Sequence, residues 1–131
     1  MPIVLIVCGG RDYADQQAAF HALDTLHQHG RGPVDHIIEG GARGADALGR
    51  AWAQSRGVAV TTCPARWDKF GKRAGLLRNQ QMLDDFEIDL VVAFPGGRGT
   101  ADMIRRARQA QVQVWRTGGW RASRQQSLDQ L

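Results

Sequence analysis

Three glycine-rich segments with charged residues inside them are the parts of this chain best suited to chemistry. They are Gly9-Gly10-Arg11-Asp12-Tyr13, Glu39-Gly40-Gly41-Ala42-Arg43-Gly44-Ala45-Asp46 and Phe94-Pro95-Gly96-Gly97-Arg98-Gly99-Thr100-Ala101-Asp102. Glycine lets the backbone turn sharply and approach a ligand, and it leaves amide N–H groups free to point at an anion. The arginine in each segment adds a guanidinium whose planar fork matches phosphate oxygens. The three segments therefore predict a phosphate-binding site.

Each of these segments follows a short apolar run that is typical of a buried strand. Apolar runs cover residues 3–8, 36–38, 58–63, 88–94 and 112–115, and helical spacing of apolar residues covers 15–29, 44–56, 74–86 and 100–110. Strands that alternate with helices of this length predict βαβ units and a parallel sheet with right-handed crossovers. We therefore expect an α/β fold, a Rossmann-like, doubly wound parallel sheet of about five strands in a three-layer αβα arrangement.

The length and composition fit one globular domain. The chain has 131 residues, of which 43% are hydrophobic and 23% are charged, so a buried core is expected and disorder is not. We assign residues 1–120 to a single domain and the polar residues 121–131 to a C-terminal tail. In doubly wound sheets, ligands bind beyond the carboxyl ends of the strands, which is where the three glycine-rich segments are predicted to lie.

The first two segments each allow a binding role and a structural one. In the first, Arg11 would fork onto a phosphate and Asp12 would accept a hydrogen bond from a ribose hydroxyl; the alternative is a tight turn in which Asp12 or Asp15 caps the next helix. The second matches neither the dinucleotide-binding GxGxxG pattern nor the P-loop. It nevertheless places Arg43 beside a helix amino end, whose free amides and dipole favour anions. Asp46, in the first turn of that helix, is equally explained as a carboxylate that compensates the dipole.

Charge and cysteine content narrow the classes of partner and compartment. The chain carries 17 basic and 13 acidic residues, and all the basic residues except Lys69 and Lys72 are arginine. This modest excess leaves a nucleic-acid partner as an alternative. Cys8 and Cys63 have neither a CxxC spacing nor a nearby pair of histidines, so we expect buried free thiols in a reducing, cytoplasmic compartment and no metal site. The apolar run at residues 3–8 is too short to span a membrane, and no membrane partner is expected.

The third segment resembles the PGGxGTxxE signature of the Lonely Guy phosphoribohydrolases and of related proteins once called lysine decarboxylases. Those enzymes bind nucleoside monophosphates on a Rossmann-like fold and carry an Arg-Lys pair on the helix before this signature. Here Arg78-Asn79 stands at that pair, and Met82 has the spacing of the family's methionine. The resemblance therefore implies that Arg78 is at the position of the catalytic arginine.

Together with GGRDY and EGGARGAD, these motifs make residues 3–115 resemble one branch of the SLOG superfamily, the YspA-type, circularly permuted YpsA-related proteins. That superfamily also contains the Lonely Guy enzymes, the DNA-processing protein A family and proteins regarded as sensors of nucleotide-derived signals. The resemblance implies the fold, a nucleotide-like ligand and a homodimer, because Lonely Guy sites borrow residues across a dimer interface.

One departure from the family's pattern bears on catalysis. Counting from Thr100, the family's terminal glutamate falls at Met103, which cannot act as an acid or a base, and Asn79 replaces the lysine. A general acid or base typically contributes about 10²–10⁴-fold to a rate, so hydrolysis would need a substitute carboxylate. The nearest substitute is Asp102, which we pair with Arg78 as the catalytic residues of an enzyme. Further candidates are Asp12, Glu39 and Asp46.

We expect the domain to bind a nucleotide or a nucleotide-derived, ADP-ribose-like phosphate ligand, as a sensor and without a cofactor. The phosphate would lie between the Arg43-Gly44 turn and the third segment, with Trp67 or Tyr13 over the base. The predicted ligand-binding residues are Gly9, Gly10, Arg11, Asp12, Gly40, Gly41, Arg43, Gly44, Asp46, Gly96, Gly97, Arg98, Gly99 and Thr100.

Two alternatives from other classes stay open. The first is a nucleoside-5′-monophosphate phosphoribohydrolase of the Lonely Guy type, which cleaves the N-glycosidic bond. The second is a nucleic-acid-binding module, for which the helical arginines Arg105, Arg106 and Arg108 are the feature to follow. Of the two classes of partner, a nucleotide-like small molecule is favoured over a nucleic acid.

Overall fold

The strands and helices indicated by the sequence are present in the computed structural model of the protein, which describes residues 2–120. The strands are β1 Ile3–Cys8, β2 Val34–Glu39, β3 Ala59–Thr62, β4 Leu90–Ala93 and β5 Gln113–Arg116. The helices are α1 Gln16–His29, α2 Ala45–Arg56, α3 Trp67–Phe70, α4 Ala74–Asp85 and α5 Arg98–Gln109, with a 3₁₀ turn at Gly71–Arg73. The predicted tail at 121–131 lies outside the described residues.

The strands form one parallel sheet in the order β3-β2-β1-β4-β5. The central strand β1 pairs with β2 and β4, so that Ile6 lies between Ile38 and Val91. Strand order reverses between β1 and β4, which makes the carboxyl ends of these two strands the switch point of a doubly wound sheet. The predicted α/β fold is confirmed.

Helices cover both faces of the sheet because successive strand residues point to opposite sides. One face packs Leu5, Val7 and Ile37 against Leu23 of α1 and Trp52 of α2. The other face packs Ile6, Cys8, Ile38, Val91, Met82 of α4 and Met103 of α5. The result is the predicted three-layer αβα arrangement, with Trp52 and Trp115 in the core as expected.

Three local details differ from the sequence-based expectation or decide between its alternatives. Asp15, and not Asp12, caps α1, since its carboxylate accepts a hydrogen bond from the amide of Ala18 at 3.0 Å. Helix α5 begins at Arg98 rather than at Thr100, and Gly97 is its N-cap residue. Residues 64–73, expected as a loop, contain α3 and the 3₁₀ turn, which carry the chain across to α4.

Candidate functional site

The three glycine-rich segments meet at the switch point, and Gly10 joins them. Its amide donates to the carbonyl oxygen of Pro95 at 2.8 Å, and its carbonyl oxygen accepts from the amide of Ala45 at 3.1 Å. The backbone of Gly44 has φ +78°, and a Cβ there would collide with the Gly10 carbonyl oxygen. Glycine at Gly44 is therefore needed for the first and second loops to touch.

A cavity of about 420 Å³ opens beside this junction. Its volume lies in the range of small-molecule sites, roughly 300–1,000 Å³. The predicted site residues that line it are Gly9, Gly10, Arg11, Asp46, Arg78, Gly97, Arg98, Gly99 and Thr100. The predicted residues outside its lining are Asp12, Gly40, Gly41, Arg43, Gly44, Gly96 and Asp102. The structure thus gathers the first loop, the third loop and α4 around one space.

The amino end of α5 supplies the strongest anion-binding feature of this cavity. Gly97 is the N-cap and offers no side chain, so the first amides of the helix have no cap. Among the described residues, none accepts a hydrogen bond from the amides of Arg98, Gly99 or Thr100. Free amides at a helix amino end, together with the helix dipole, favour a phosphate.

The second loop is arranged differently, because carboxylates of the protein already occupy its amides. Asp46 accepts from the amides of Gly40 and Ala42, both at 3.2 Å, and Glu39 accepts from the amide of Gly41 at 2.7 Å. The N–H groups of this loop therefore hold the protein's own anions. Sequence reasoning could not show this, since it could not tell which acceptor the amides would meet.

Arg78 of α4 joins the second loop to the cavity. Its Nη1 donates to the carbonyl oxygen of Gly40 at 2.7 Å, and its Nε donates to the Asn79 side-chain oxygen at 3.2 Å. A Cβ on Gly40 would collide with this guanidinium, so the close approach depends on glycine. Arg78 is thus held by hydrogen bonds to Gly40 and Asn79, and it also lines the cavity.

Asp46 is the acidic group in the cavity wall, and it is 6% exposed. Burial raises the pKa of Asp46 to about 6, and the nearby charge of Glu39 adds to the increase. Hydrogen bonds from Ala42 and Gly40 and the charge of Arg78 limit the rise. A carboxyl group with such a pKa can change protonation state near neutral pH.

The other candidate carboxylates are engaged elsewhere. Asp12 is exposed and pairs with Arg43 at 3.0 Å, outside the cavity lining. Glu39 is fully buried and accepts hydrogen bonds from Arg50 and the hydroxyl of Thr62. Of the four substitutes that we considered for the missing glutamate, Asp46 is the one that the structure brings to the cavity.

Asp102 holds α4 and α5 together. Its carboxylate contacts Arg105 at 2.7 Å and Arg106 at 2.8 Å, and it accepts from the Asn79 amide at 3.1 Å. Burial alone would raise the pKa of Asp102, but the hydrogen bonds from Asn79 and Arg106 lower it. Met103, at the position of the family's glutamate, is fully buried in the core under α5.

The two aromatic candidates for the base differ in position. Trp67 lines the cavity and is 48% exposed, and the guanidinium carbon of Arg11 lies 5.4 Å from its ring centre. Tyr13 stacks on Phe94, and its hydroxyl donates to the carbonyl oxygen of Gly118 at 2.5 Å, outside the cavity lining. Burial raises the pKa of Tyr13 to about 12. The structure therefore brings Trp67, and not Tyr13, to the cavity.

Several lining residues escaped the sequence analysis as site residues. They are Val7, Cys8, Ala42, Lys72, Gly75, Leu76, Asn79 and Met82. The sequence signal for Lys72 is the basic, aromatic stretch of residues 64–73 around Trp67. Cys8 lies at the cavity floor, where burial raises the pKa of its thiol, so it remains protonated and is a poor nucleophile.

Within residues 2–120, no group of three or more His, Cys, Asp or Glu side chains is placed to hold a metal ion. No helix in this part of the chain is both long and apolar enough to cross a membrane.

Comparison with known proteins adds two findings. The family model of the YspA, cpYpsA-related SLOG family (YAcAr) matches residues 3–70, which run from β1 through α3. The Gene 61 protein of Mycobacterium phage D29 is 37% identical over 118 residues, a match that covers 84% of this chain and 92% of the phage protein. Membership of this superfamily indicates nucleotide-related ligands as the general class. The chain belongs to the YspA, cpYpsA-related SLOG family.

Proposed function

We propose that the protein binds a nucleotide-derived ligand in the switch-point cavity, with a phosphate at the amino end of α5. The observation that carries this proposal is the set of amides at Arg98, Gly99 and Thr100, which lack an acceptor among the described residues and border the cavity. Arg11 and Arg78 face the same space. Guanidinium groups and helix amides together form charge-assisted hydrogen bonds to phosphate oxygens.

The base would lie against Trp67, at the other side of the cavity. The Trp67 indole is close to Gly75, where a Cβ would come within 3.3 Å of its ring. The absence of a side chain at Gly75 therefore allows this close approach of the ring to the start of α4. The indole is half-exposed and the Arg11 guanidinium lies over its ring, and an aromatic ring supported by an arginine is a suitable stacking surface for a nucleobase.

A sensor role fits this ligand site best, because the carboxylate that the family uses for hydrolysis is replaced by the buried Met103. A protein that binds such a ligand and does not cleave it reports its concentration. The ligand would be a nucleoside monophosphate or an ADP-ribose-like molecule.

A binding screen with a matched pair of variants tests the proposal. The purified protein is heated with nucleoside monophosphates, NAD and ADP-ribose, and hits are measured by calorimetry. A ligand at 100 times its Kd stabilises the folded state by about 2.7 kcal/mol. Arg11→Gln should weaken binding of a hit by about tenfold, since it removes a charged phosphate partner.

Arg43→Gln is the control, because Arg43 is also an exposed arginine on a glycine-rich loop but lies outside the cavity lining. It should leave the Kd within about twofold of the wild-type value. Equal losses in the two variants, or a screen without any nucleotide hit, would refute the proposed site.

The properties of Asp46 support a second candidate function, that of a phosphoribohydrolase. A carboxyl group with a pKa of about 6 in the cavity wall has the property that general acid–base catalysis needs near neutral pH. The reaction would add water across the N-glycosidic bond and release the free base and ribose 5-phosphate. Chromatography of an overnight incubation with each nucleotide hit detects these products, and Asp46→Asn should abolish them while the nucleotide still binds.

Homodimerisation also remains a prediction. Four large apolar side chains between α3 and α4 are exposed, namely Trp67, Phe70, Leu76 and Leu77. A second copy of the chain on this surface would cover the edge of the cavity. Sedimentation equilibrium measures the mass directly, and Leu77→Lys should lower any dimer fraction.

A further inference from the structure

A second cavity, of about 840 Å³, is lined by residues of α5, by Arg116 of β5 and by Trp120. The two cavities share Gly97 and Arg98. A ligand phosphate at the amino end of α5 would therefore stand at the boundary between them. The first cavity, of about 420 Å³, has the volume of a small-molecule site, and the second offers space for a ligand that extends past its phosphate.

The second cavity, which we call the arginine groove, is strongly basic. Its described lining contains Arg98, Arg105, Arg108 and Arg116 and includes no aspartate or glutamate. Arg105 is partly neutralised by Asp102 at 2.7 Å. No described residue forms an ion pair with the other three. The groove thus presents uncompensated positive charge.

These arginines are set out in a row. Arg98, Arg105 and Arg108 recur at intervals of seven and three residues, which places them along one face of α5. At 1.5 Å per residue, the row is about 15 Å long. Arg116 comes from β5, and its buried Nε has no hydrogen-bond partner in the described chain. The row matches an extended anion better than a compact one.

Apolar and aromatic side chains interleave with the charges. The indole of Trp120 lies in the groove, with its N–H donating to the carbonyl oxygen of Ala93 at 2.9 Å and the Arg116 guanidinium 6.0 Å from its ring centre. Ile104 contributes an aliphatic wall. Aromatic rings beside a basic track are the arrangement that binds unpaired bases along a phosphodiester backbone.

We infer that the arginine groove binds the backbone of a single-stranded nucleic acid whose terminal nucleotide occupies the first cavity, an inference that rests on the proposed function. The terminal phosphate lies at Gly97 and Arg98, where the cavities meet. The following phosphates run along Arg105 and Arg108, and an unpaired base stacks near Trp120. A base-paired duplex would leave no base free for such stacking.

The test measures binding of hexanucleotides of each of the four bases, as RNA and as DNA, beside the corresponding mononucleotides and nucleoside triphosphates. At least one hexamer should bind about tenfold or more tightly than its mononucleotide. Its affinity should also fall more steeply with salt, because each neutralised phosphate of a single strand contributes a slope of about −0.7.

Arg108→Glu is the informative variant, and Arg31→Glu is its control. Both residues are exposed, and both changes alter the charge equally, but Arg31 lies at the amino ends of the strands, where it donates to the carbonyl oxygen of Asp89. Arg108→Glu should remove most of the difference in affinity between the hexamer and its mononucleotide, and it should leave the affinity for the mononucleotide unchanged. Arg31→Glu should alter neither. Circular dichroism verifies that both variants are folded.

Three results would overturn the inference while leaving the proposed function intact. The first is a hexamer that binds no more tightly than its mononucleotide. The second is an equal loss of hexamer affinity in Arg108→Glu and Arg31→Glu. The third is a nucleoside triphosphate that exceeds the mononucleotide in affinity by as much as the hexamer does, which would identify a polyphosphate as the occupant. A hexamer that binds through Arg108 when every mononucleotide fails would contradict the proposed function instead.

Discussion

The chemistry of the site depends on how individual polar groups are partnered. The carboxylate of Asp46 accepts hydrogen bonds from the amides of Gly40 and Ala42, whereas the first amides of α5 have no acceptor in the described chain. Arg78 is held by the Gly40 carbonyl oxygen and still borders the cavity. The proposed anion site is therefore at the third loop, and the second loop contributes Ala42 and the acidic Asp46 to the cavity wall.

Asp46 should make stability depend on pH in a defined direction. Folding raises its pKa from an ordinary value of about 3.9 to about 6. Between these values the folded state binds more protons than the unfolded chain, so the contribution to the free energy of unfolding is present at pH 4 and is lost as the pH rises through 6. Asp46→Asn removes this titration. The unfolding free energy of the variant minus that of the wild type should rise by up to about 3 kcal/mol between pH 4 and pH 7.

Urea unfolding at four or five pH values measures this difference. Asp12→Asn, the same carboxylate-to-amide change at an exposed position on the neighbouring loop, is the control. A difference for Asp46→Asn that stays constant with pH would mean that burial does not perturb this carboxyl group.

Trp67 should contribute to affinity only when the ligand carries a base. Stacking of one base on an aromatic side chain is worth about 1–3 kcal/mol, so Trp67→Ala should weaken binding of a nucleoside monophosphate by about 5- to 150-fold. Binding of ribose 5-phosphate should change little, because its phosphate contacts are at α5. Calorimetry on both ligands gives the comparison.

Phe70→Ala is the matched control for that experiment, since Phe70 is an exposed aromatic residue on the same short helix but outside the cavity lining. It should affect neither ligand. If Trp67→Ala weakens both ligands to the same extent, the indole shapes the cavity rather than stacking on a base.

At the level of elements, helices α4 and α5 act as one unit. The Asn79 amide donates to the carbonyl oxygen of Gly99 and to Asp102, both at 3.1 Å. The guanidinium of Arg106 reaches Gln80 at 2.9 Å. These contacts fix the amino end of α5 against α4, and therefore fix the distance between the free amides and Arg78.

Loss of these contacts between α4 and α5, which we call the α4–α5 clasp, should reduce both the free energy of unfolding and the affinity for the ligand. Asn79→Ala removes three side-chain hydrogen bonds at a buried position, those to Gly99, Asp102 and Arg78, so it should lower the free energy of unfolding by about 1–3 kcal/mol. It should also weaken ligand binding, because the first turn of α5 loses its anchor. Gln81→Ala, at an exposed position of the same helix, is the control for urea unfolding and calorimetry. A variant that loses stability but keeps full affinity would show that the clasp does not position the ligand site.

At the level of the whole molecule, the site draws on both halves of the chain. Gly9, Arg11 and Asp46 come from the part that the family model matches, and Arg78 and the α5 amides come from the part that follows it. They meet because strand order reverses between β1 and β4. The cavity is a consequence of topology and does not exist in either half alone.

The sequence predicted the strands well because each one is a short apolar run closed by glycine or proline. Most boundaries agree with the structure within about two residues, which is the usual uncertainty of helix and strand ends. It also predicted that three loops would meet at one edge, since that follows from a parallel sheet. It could not predict that Glu39 and Asp46 would occupy the second loop's amides, or that the 3₁₀ turn after α3 would bring Lys72 to the cavity. Those contacts join residues from different elements, and periodicity carries no information about them.

The shared site and the central position of β1 predict that residues 1–70 cannot fold alone. Residues Leu5 to Cys8 of β1 pair with β4, and the face that carries Ile6 and Ile38 is covered by α4 and α5. A fragment of residues 1–70 would expose both an unpaired strand edge and an apolar face, so it should show little native circular dichroism and no ligand binding. The full chain should unfold in one transition, with coincident curves from tryptophan fluorescence and far-ultraviolet circular dichroism. A fragment that melts cooperatively would show instead that β1–β3 form an independent unit, to which β4, α5 and the phosphate site are attached.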